Sequence, residues 1–446
     1  MNRFLLALCL VVATTVHAIA ATSPMPGLPD YEASQAGEGD DVPVGGTSNP
    51  LVRVLLSRSF GAVTRVYVSA NGPFRISDDQ GNTVVSGTSE TVAIVSVVPD
   101  AITPGTYRVQ ASVDGVSKIF PTSPLLTATT FSGDTMIQLG ATAVTKRQAY
   151  RGAAGFSATT SGRVRVVNIA GLEEYLQGVV KAEIGGSAPI EAMKAQAVAA
   201  RTYTVHNLGR MASEGADLDD TTRSQGYLGV SGETPAILRA VRETRGQVIV
   251  YNGSPIDAMY CTECGGVTAQ GPPSEPYLRP VTTPGCETKA PWTLKLDAKQ
   301  AESFAKSVSG VPLGSVKSIA VTKTDDSGRA TEVTLTGATD TRAVSGVRIR
   351  QVLGADILRS TLFTVKSEAD GGFTFTGRGW GHGLGMCQCG AIARASGDKP
   401  ESYSQILGAY YSDTKVTALT PDMIRRAVPS VGPSARAGGK LKGRGY

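Results

Sequence analysis

Residues 187–211 read SAPIEAMKAQAVAARTYTVHNLGRM, and this stretch decides the expected fold. Apolar or small residues recur in it every three or four positions, at Ile190, Met193, Ala197, Ala200 and Thr204. This period is typical of a helix with one apolar face. Ser187 is predicted to cap the helix, and Pro189 falls in the first turn, where a missing N–H costs nothing. We therefore expect a long helix that runs from Ser187 to about Met211.

Strands are predicted for most of the chain on either side of this helix. From residue 51 to about 167, short apolar segments such as 63–68 and 107–113 alternate with turns rich in Gly, Asn and Asp. Downstream, the pattern predicts helices at 235–243, 298–308 and 346–353, and strands at 247–251, 315–322 and 331–335. The expected fold class is therefore α+β and strand-rich, with a long central helix that has Glu183 at its N-terminal side.

The first 20 residues are typical of a signal peptide. Arg3 supplies a positive charge, residues 4–12 are apolar, and small residues suited to cleavage follow at Ala18 and Ala20. The apolar run is too short to span a bilayer, and no later stretch reaches the roughly 20 apolar residues of a spanning helix. We expect an exported protein, in the periplasm or the cell wall, without a transmembrane helix after signal removal.

The chain of 446 residues is long enough for a sizeable buried core. Its composition predicts a signal peptide at 1–20, a flexible linker at 21–48, a β-rich N-terminal region at 49–150, a mixed region of helices and strands at 151–418 and a basic, disordered tail at 419–446. The net charge of +5 is mild, so the composition does not indicate a protein that binds nucleic acid.

Glu183 is the first candidate for catalysis. It lies among apolar residues, between Val179 and Ile184, and it is followed by a glycine pair where we expect the long helix to begin. Apolar neighbours raise the pKa of a carboxyl group, as a general acid requires. A helix start favours the anion and acts in the opposite direction. A catalytic acid and a structural acid at a helix start both fit these residues.

Residues 377–390, GRGWGHGLGMCQCG, form a second unusual segment. The alternating glycines leave few side chains and let the backbone approach a ligand closely. Trp380 offers a face for stacking, and His382 offers a titratable ring. The density of glycine around one histidine favours a binding site over a tight turn with a core aromatic residue.

Five cysteines follow the predicted signal peptide, in two neighbourhoods: Cys261, Cys264 and Cys286, then Cys387 and Cys389. In an oxidising compartment disulfides are the default interpretation, but an odd number leaves one thiol over. The three cysteines of the first neighbourhood also suit a tetrahedral zinc site, with Cys387, Cys389 or His382 as the fourth ligand. A structural zinc and a disulfide remain equal alternatives.

In these segments the sequence resembles the stage II sporulation protein D family, which includes proteins called amidase enhancers. The resemblance covers about residues 50–415. Its motifs occur in this order: YRG (150–152), LEEYL (172–176), GVVKAE (178–183), EAMKAQAVAARTY (191–203), SQGY (224–227), TRG (244–246), CGG (264–266), VSG (344–346) and GRGWGHG (377–383). Because the motifs are long and ordered, the match is specific.

The resemblance implies an enzyme that binds and cleaves peptidoglycan glycan strands stripped of their peptides, with residues 151–418 as its catalytic region. The implied activity is lytic transglycosylation, with Glu183 as the counterpart of the catalytic acid. A glycoside hydrolase usually needs two carboxylates. In a lytic transglycosylase the sugar's own hydroxyl attacks and forms an anhydro ring, so one general acid/base suffices and no cofactor is required.

Other matched positions imply supporting roles, through hydrogen bonds to sugar or to Glu183, for Gln196, Arg201, Gln225, Tyr227, His382 and Gln388. Some family members bind zinc near the CGG motif through His and Cys. This chain departs from the family by having Cys261 where a His is expected and by reading MCQC at 386–389. Both departures still provide thiol ligands for a metal, but the set of ligands differs from that of the family.

The resemblance also supports a second hypothesis, in which the chain is a non-enzymatic wall-binding protein that activates an N-acetylmuramoyl-L-alanine amidase. Both hypotheses make glycan strands a partner, and the second adds the amidase. They differ in whether loss of Glu183 removes the effect.

Overall fold

The structure, a computed structural model, describes residues 49–113, 122–286 and 289–427. The predicted signal peptide and linker, and the predicted tail beyond residue 427, lie outside these residues. Helices and strands both occur and strands predominate, which confirms the α+β, strand-rich prediction. Across the described ranges, no helix is long and apolar enough to cross a membrane.

The N-terminal part is built almost entirely from strands. Its elements are β1 (Leu51–Leu55), α1 (Ser57–Phe60), β2 (Arg65–Ala70), β3 (Phe74–Ser77), β4 (Thr83–Gly87), β5 (Ala93–Pro99), β6 (Tyr107–Val113), β7 (Leu125–Thr130), β8 (Ile137–Gly140), β9 (Gln148–Tyr150), β10 (Ala153–Ala158) and β11 (Val164–Gly171). One sheet has the strand order β6-β5-β2-β8-β9, with antiparallel pairing throughout.

The helical centre of the molecule follows directly. Its elements are α2 (Leu172–Ile184), α3 (Ile190–His206), β12 (Leu218–Asp219), α4 (Pro235–Glu243), β13 (Gln247–Tyr251), β14 (Ser254–Pro255) and β15 (Tyr260–Cys261). The larger sheet has the order β12-β1-β11-β10-β7-β3-β4. It therefore joins the predicted N-terminal region (49–150) to the predicted catalytic region (151–418).

An inserted unit then interrupts the chain. Its elements are β16 (Trp292–Leu296), α5 (Ala298–Ser309), β17 (Val316–Thr324), β18 (Ala330–Gly337), β19 (Thr341–Val344), α6 (Gly346–Leu353), β20 (Phe363–Ser367) and β21 (Phe373–Gly377). They form two three-stranded antiparallel sheets, β16-β21-β20 and β17-β18-β19, around a hydrophobic core of their own. The sequence analysis assigned these residues to one continuous region, because hydrophobic periodicity does not show which apolar faces share a core.

The chain then returns to the first core. Its last elements are β22 (Met386–Cys387), α7 (Gln388–Ser396), α8 (Tyr403–Tyr410), β23 (Lys415–Ala418) and α9 (Pro421–Ala427). β22 pairs in parallel with β15, and β23 pairs with β13. The disordered tail predicted from residue 419 therefore begins too early. Met423 and Ile424 of α9 pack against the main core, which gives this turn of helix an apolar anchor.

Local sequence signals account for several of these boundaries. Asp297 and Gln300 form a capping box at the start of α5. Asn252 and Gly253 adopt positive φ angles of 50° and 76° between β13 and β14, as expected for an Asn-Gly hairpin turn. The bounds of α4, β13 and α6 agree with the predictions.

α3 is the longest described helix, and almost every residue from Ala192 to Val205 is buried. It packs against α2, α4, α7, α8 and β13. It starts at Ile190 rather than Ser187, because Pro189 takes the capping position with an extended ψ of 146°. Its small residues let the surrounding helices approach closely, which explains the alanine content that predicted it.

Candidate active site

Glu183 lies in the last turn of α2 and not at the start of the long helix. Gly185 ends α2 with a φ of 82°, a conformation that glycine adopts without strain, and the chain turns before α3 begins. This position reverses the electrostatic expectation. The C-terminal end of a helix disfavours an anion, so the helix dipole and burial act in the same direction on Glu183.

Two hydrogen bonds hold the Glu183 carboxyl group. The backbone N–H of Gly226 donates to Oε1 at 2.6 Å, and Nε2 of Gln388 donates to Oε2 at 3.3 Å. A Cβ at position 226 would lie 3.1 Å from the Cβ of Ala182, so glycine allows this close approach. Burial raises the pKa of Glu183, and the two hydrogen bonds oppose the rise.

Glu183 borders an open cavity of about 350 Å³. The cavity is lined by Glu183, Ile184, Thr262, Glu263, Lys289, Gln388, Cys389 and Ile392. This volume is within the range of small-ligand sites, roughly 300–1,000 Å³. The lining combines one half-buried acid, a second acid, a lysine and apolar side chains.

Gln388 and Gln196 are the predicted supporting residues that the structure brings to Glu183. Gln388 opens α7 and lines the cavity, and its Nε2 lies 3.3 Å from both Glu183 Oε2 and Gln196 Oε1. Gln196, on α3, is fully buried behind it. The geometry supports an orienting role for both residues rather than a contact of Gln196 with sugar.

Gln225 is buried and lies next to the glycine that binds Glu183. Its Oε1 accepts hydrogen bonds from the hydroxyls of Tyr175 and Thr204, at 3.1 and 2.9 Å, and its Nε2 donates to the Tyr260 hydroxyl at 2.9 Å. These bonds fix the 225–226 backbone. Of the two roles that the resemblance implied for Gln225, a bond to sugar or support of Glu183, these contacts favour the second, through the backbone.

Arg201 and Tyr227 lie in the core, away from the cavity. The guanidinium of Arg201 is fully buried and donates to both carboxylate oxygens of Glu173, at 2.8 and 2.7 Å. The Tyr227 hydroxyl donates to Oδ1 of Asn168 at 2.8 Å, and its ring packs against Tyr175. In this structure neither side chain is accessible to a sugar, so the roles implied by the resemblance are corrected to structural ones.

Hydrogen bonds to the backbone hold the His382 ring in place. Its Nδ1 accepts a hydrogen bond from the Leu384 N–H at 3.0 Å, and the ring is also hydrogen-bonded to the backbone of Tyr260. Burial and the nearby Arg350 and Arg329 lower the pKa of His382 to about 4. The imidazole is therefore neutral at pH 7. It holds the glycine-rich segment to β15 and does not line the cavity.

Arg329, a residue of the inserted unit that the sequence analysis did not single out, explains part of the glycine pattern. Its buried guanidinium donates to the backbone carbonyls of Cys264 and Val267. Gly383 has a φ of 83°, and a Cβ there would lie 2.4 Å from this guanidinium. The glycine at this position thus gives room to an internal arginine, which a pattern of glycines alone does not distinguish from a ligand.

The structure gathers three cysteines into a buried cluster, formed by Cys264, Cys286 and Cys387. Their sulfur atoms lie within 4.8 Å of one another, and Sγ of Cys286 is 3.2 Å from Sγ of Cys387. All five cysteines in the described ranges are unbonded. Parallel pairing of β22 with β15 brings Cys387, one of the fourth ligands considered for the zinc site, into the cluster, and places Cys261 beside it with its thiol hydrogen-bonded to that of Cys387.

The chemistry of this cysteine cluster fits a metal ion. Thiolate sulfur is a soft ligand that suits zinc, and a buried set held by β-strand pairing is already organised for coordination. Hydrogen bonds from the thiols of Cys286 and Cys387 lower the pKa of Cys264, because they stabilise its thiolate. Cys264, Cys286 and Cys387 are thus the residues that would hold a structural zinc.

Comparison with known proteins identifies the family. Stage II sporulation protein D of Bacillus subtilis (strain 168) is 32% identical over 265 residues, which cover 55% of this chain and 74% of that protein. The chain belongs to the stage II sporulation protein D family. Residues 160–251, which include Glu183 and Gly226, match the family profile described as Stage II sporulation protein.

Two further comparisons place this family member among its relatives. The Amidase enhancer of Bacillus subtilis (strain 168) is 30% identical over 297 residues, which cover 54% of this chain and only 40% of that protein. An uncharacterized protein of Brachyspira hyodysenteriae (strain ATCC 49526 / WA1) is 34% identical over 257 residues, or 56% of this chain and 68% of that protein. Residues 288–385 match a domain of unknown function (DUF8618), and these bounds enclose the inserted unit.

Sequence reasoning missed several residues of the site. Glu263 lies inside the Cys-x-x-Cys segment, and Gly226 lies inside the SQGY motif. Both residues belong to motifs that the sequence analysis identified, but neither was named as a site residue. Lys289 and Cys389 line the cavity because the inserted unit and α7 start beside it, and no local pattern signals that proximity.

Proposed function

We propose that this chain is an exported peptidoglycan lytic transglycosylase that cleaves peptide-free glycan strands, with Glu183 as its general acid/base. The observation that carries the proposal is a half-buried carboxyl group with a raised pKa at the edge of an open cavity. A general acid must hold its proton near the working pH, and burial at a helix C-terminus provides this. The signal-like residues 1–20 support export.

The reaction requires one proton donor that later accepts a proton. Glu183 gives its proton to the leaving glycosidic oxygen as the anomeric C–O bond breaks. The sugar's own hydroxyl oxygen then bonds to the anomeric carbon and returns its proton to the Glu183 carboxylate. The carboxyl group ends in its starting state, and no water is consumed. The Gly226 N–H keeps Oε1 in place and leaves Oε2 as the oxygen that carries the proton.

The products test this proposal. Incubation with peptide-free glycan strands is expected to release fragments with anhydro ends, which mass spectrometry separates from hydrolysis products by the mass of one water. Reducing ends alone would reject the lyase assignment. They would point instead to a hydrolase in which Glu263, the second acid of the cavity, acts as the second carboxylate.

Amidase activation is the second candidate function, and the similarity to the Amidase enhancer favours it. In that case the cavity binds glycan without cleaving it. Stimulation of an amidase that persists when Glu183 is replaced, together with the absence of anhydro ends, would establish this alternative.

For the cysteine cluster we propose a structural zinc that links the loop after β15 to the start of α7. Purified protein is expected to contain about one zinc per chain, as a thiolate site of this kind binds metal tightly at neutral pH. Mass spectrometry of the metal content checks this. Cys286→Ser and Cys387→Ser should lose the zinc, while Cys389→Ser, whose sulfur donates to the Gly285 carbonyl and is not part of the cluster, should retain it. A metal-free protein with two fewer titratable thiols would show a disulfide instead.

A further inference from the structure

Two buried amides next to Glu183 each have one polar atom without a partner. Gln388 Nε2 donates to Glu183 Oε2 and to Gln196 Oε1, both at 3.3 Å. Gln388 Oε1 and Gln196 Nε2 are buried and make no hydrogen bond. Gln388 is 3% exposed and Gln196 is 0% exposed, so bulk solvent does not supply the missing hydrogen bonds. Gln388 therefore has an unpaired acceptor and Gln196 an unpaired donor, although buried polar groups normally make hydrogen bonds.

We propose that Gln196 and Gln388 are positioning residues whose amides turn over together, so that Glu183 keeps a hydrogen-bond partner in both of its protonation states. The proposal deepens the function proposed above, because it assigns a device to the same acid. It concerns only the hydrogen bonds around Glu183 and does not require a contact with sugar.

The two arrangements use the same atomic positions. With Glu183 ionised, the Gln388 NH₂ donates to the carboxylate and to the Gln196 carbonyl, as the structure shows. With Glu183 protonated, its O–H becomes a donor and needs an acceptor at the same place. A half-turn of the Gln388 amide puts Oε1 there, and a half-turn of the Gln196 amide puts Nε2 opposite it. The two atoms without partners become the acceptor and the donor of the new arrangement.

A residue that is first an acid and then a base benefits from such a pair. A fixed donor would stabilise the carboxylate alone and weaken the acid, and a fixed acceptor would do the reverse. The Gly226 N–H donates to Oε1 in both states, although more strongly to the carboxylate, because Oε1 accepts a hydrogen bond in either. Paired amides therefore keep the carboxyl group oriented while its proton leaves and returns, at a site where burial makes an unpaired polar group costly.

Other titratable groups also surround Glu183. Glu263, Lys289 and Cys389 share its cavity. The phenols of Tyr175 and Tyr260 lie nearby, and burial raises their pKa values well above the ordinary range, so both stay neutral while Glu183 titrates. Because Glu263 is a second carboxyl group in the same cavity, the experiment includes a variant that lacks it.

The direct test follows the amides by NMR. In protein labelled on glutamine and glutamate side chains, the NH₂ signals of Gln196 and Gln388 are assigned by their loss in Gln196→Met and Gln388→Met. They are expected to shift with pH with the same midpoint as the Glu183 carboxyl carbon, and to do so in a Glu263→Gln background as well. In Glu183→Gln, whose NH₂ mimics the protonated acid as a donor, they should stay at their low-pH positions.

The proposal would be overturned if the amide signals did not change as Glu183 ionises. It would also be overturned if they stayed at their high-pH positions in Glu183→Gln. The experiment needs no glycan cleavage and uses folded protein. If the amide signals followed the ionisation of Glu183 but the protein released no anhydro ends, the proposed function would be rejected. The proposal that the two amides respond to Glu183 would still hold. If the Met variants failed to fold, the two NH₂ signals would be assigned in the native protein from their short distances to neighbouring protons, and the comparison with Glu183→Gln would remain decisive.

Kinetics supply a second readout. Gln388→Met is expected to lower kcat on peptide-free glycan by about 10–100-fold, since the acid loses its orientation. Because the lost hydrogen bond to the carboxylate is charge-assisted and stronger than the one to the protonated acid, the alkaline limb of the pH profile should also move to higher pH. Gln196→Met should have a smaller effect, and the double variant should match Gln388→Met, since Gln196 acts through Gln388. Additive losses would contradict that dependence.

Discussion

Glu183→Gln is expected to abolish the release of anhydro ends from peptide-free glycan. The side chain keeps its volume and can still accept the hydrogen bond from the Gly226 N–H, but it has no acidic proton to give to the leaving oxygen. Loss of a general acid typically lowers the rate by about 10²–10⁴-fold. Mass spectrometry of the products, with binding of the same glycan measured in parallel, distinguishes lost chemistry from lost affinity.

The same variant should be at least as stable as the native protein at neutral pH. Burial raises the pKa of Glu183 in the folded state above its unfolded value. The stabilising contribution of such a group is complete below the unfolded pKa and is lost as the pH rises through the folded pKa. Glutamine cannot ionise and escapes this loss, so the melting temperature of Glu183→Gln should equal the native one in acid and match or exceed it at pH 7.

The pH profile of the native enzyme follows from the same pKa. The protonated carboxyl group is the active form in the first step, so kcat/KM should fall on the alkaline side as Glu183 ionises. The raised pKa moves this limb to higher pH than an exposed glutamate would give. A rate that rises through this range would exclude Glu183 as the acid.

Glu263→Gln is the matched control, because Glu263 lines the same cavity. Any product that this variant forms is expected to carry anhydro ends, since the lyase mechanism needs one carboxyl group. If Glu263→Gln abolished turnover as fully as Glu183→Gln, a two-carboxylate mechanism would replace the single-acid one.

The sequence allowed the fold class and many local elements to be predicted, because they depend on short-range signals. The Asp297 capping box, the Asn252-Gly253 turn and the bounds of α4 are set by neighbouring residues. The sequence analysis placed Glu183 just before the long helix and did not predict α2, since Gly185 ends α2 only two residues after Glu183, while the apolar pattern continues on both sides of the break.

The site itself depends on contacts between distant parts of the chain. Gln388 reaches Glu183 across 205 positions, and the inserted unit lies between them in the sequence. No pattern within a window of neighbouring residues contains that contact. The family resemblance supplied both residues, but it did not distinguish a side chain that touches the cavity from one that is buried behind it.

Arg201 shows what such a distinction means in practice. It belongs to the long motif of α3, and the resemblance implied a contact with sugar or with Glu183. The structure instead places its guanidinium in the core, where it is bound to Glu173 and also donates to the Gln247 carbonyl at 3.2 Å. Glu173 in turn accepts from the Gly246 N–H at 3.2 Å. The pair thus ties α2 and α3 to the start of β13.

Arg201→Met is expected to destabilise the fold by about 3–5 kcal/mol, because the carboxylate of Glu173 would remain buried without its partner. Denaturant unfolding followed by circular dichroism measures this. Arg239→Met is the matched control. Arg239 pairs with Glu243 on an exposed helix face, so its loss should leave the unfolding midpoint unchanged.

The double variant Glu173→Met/Arg201→Met completes the cycle and should recover much of the lost stability, since two apolar side chains can replace a buried ion pair. Its activity separates the two roles of Arg201. If the arginine only supports the fold, the double variant should regain both stability and cleavage of peptide-free glycan. If Arg201 contacts the sugar, stability should return while activity stays low, and the buried position of its guanidinium would then have to change when glycan binds.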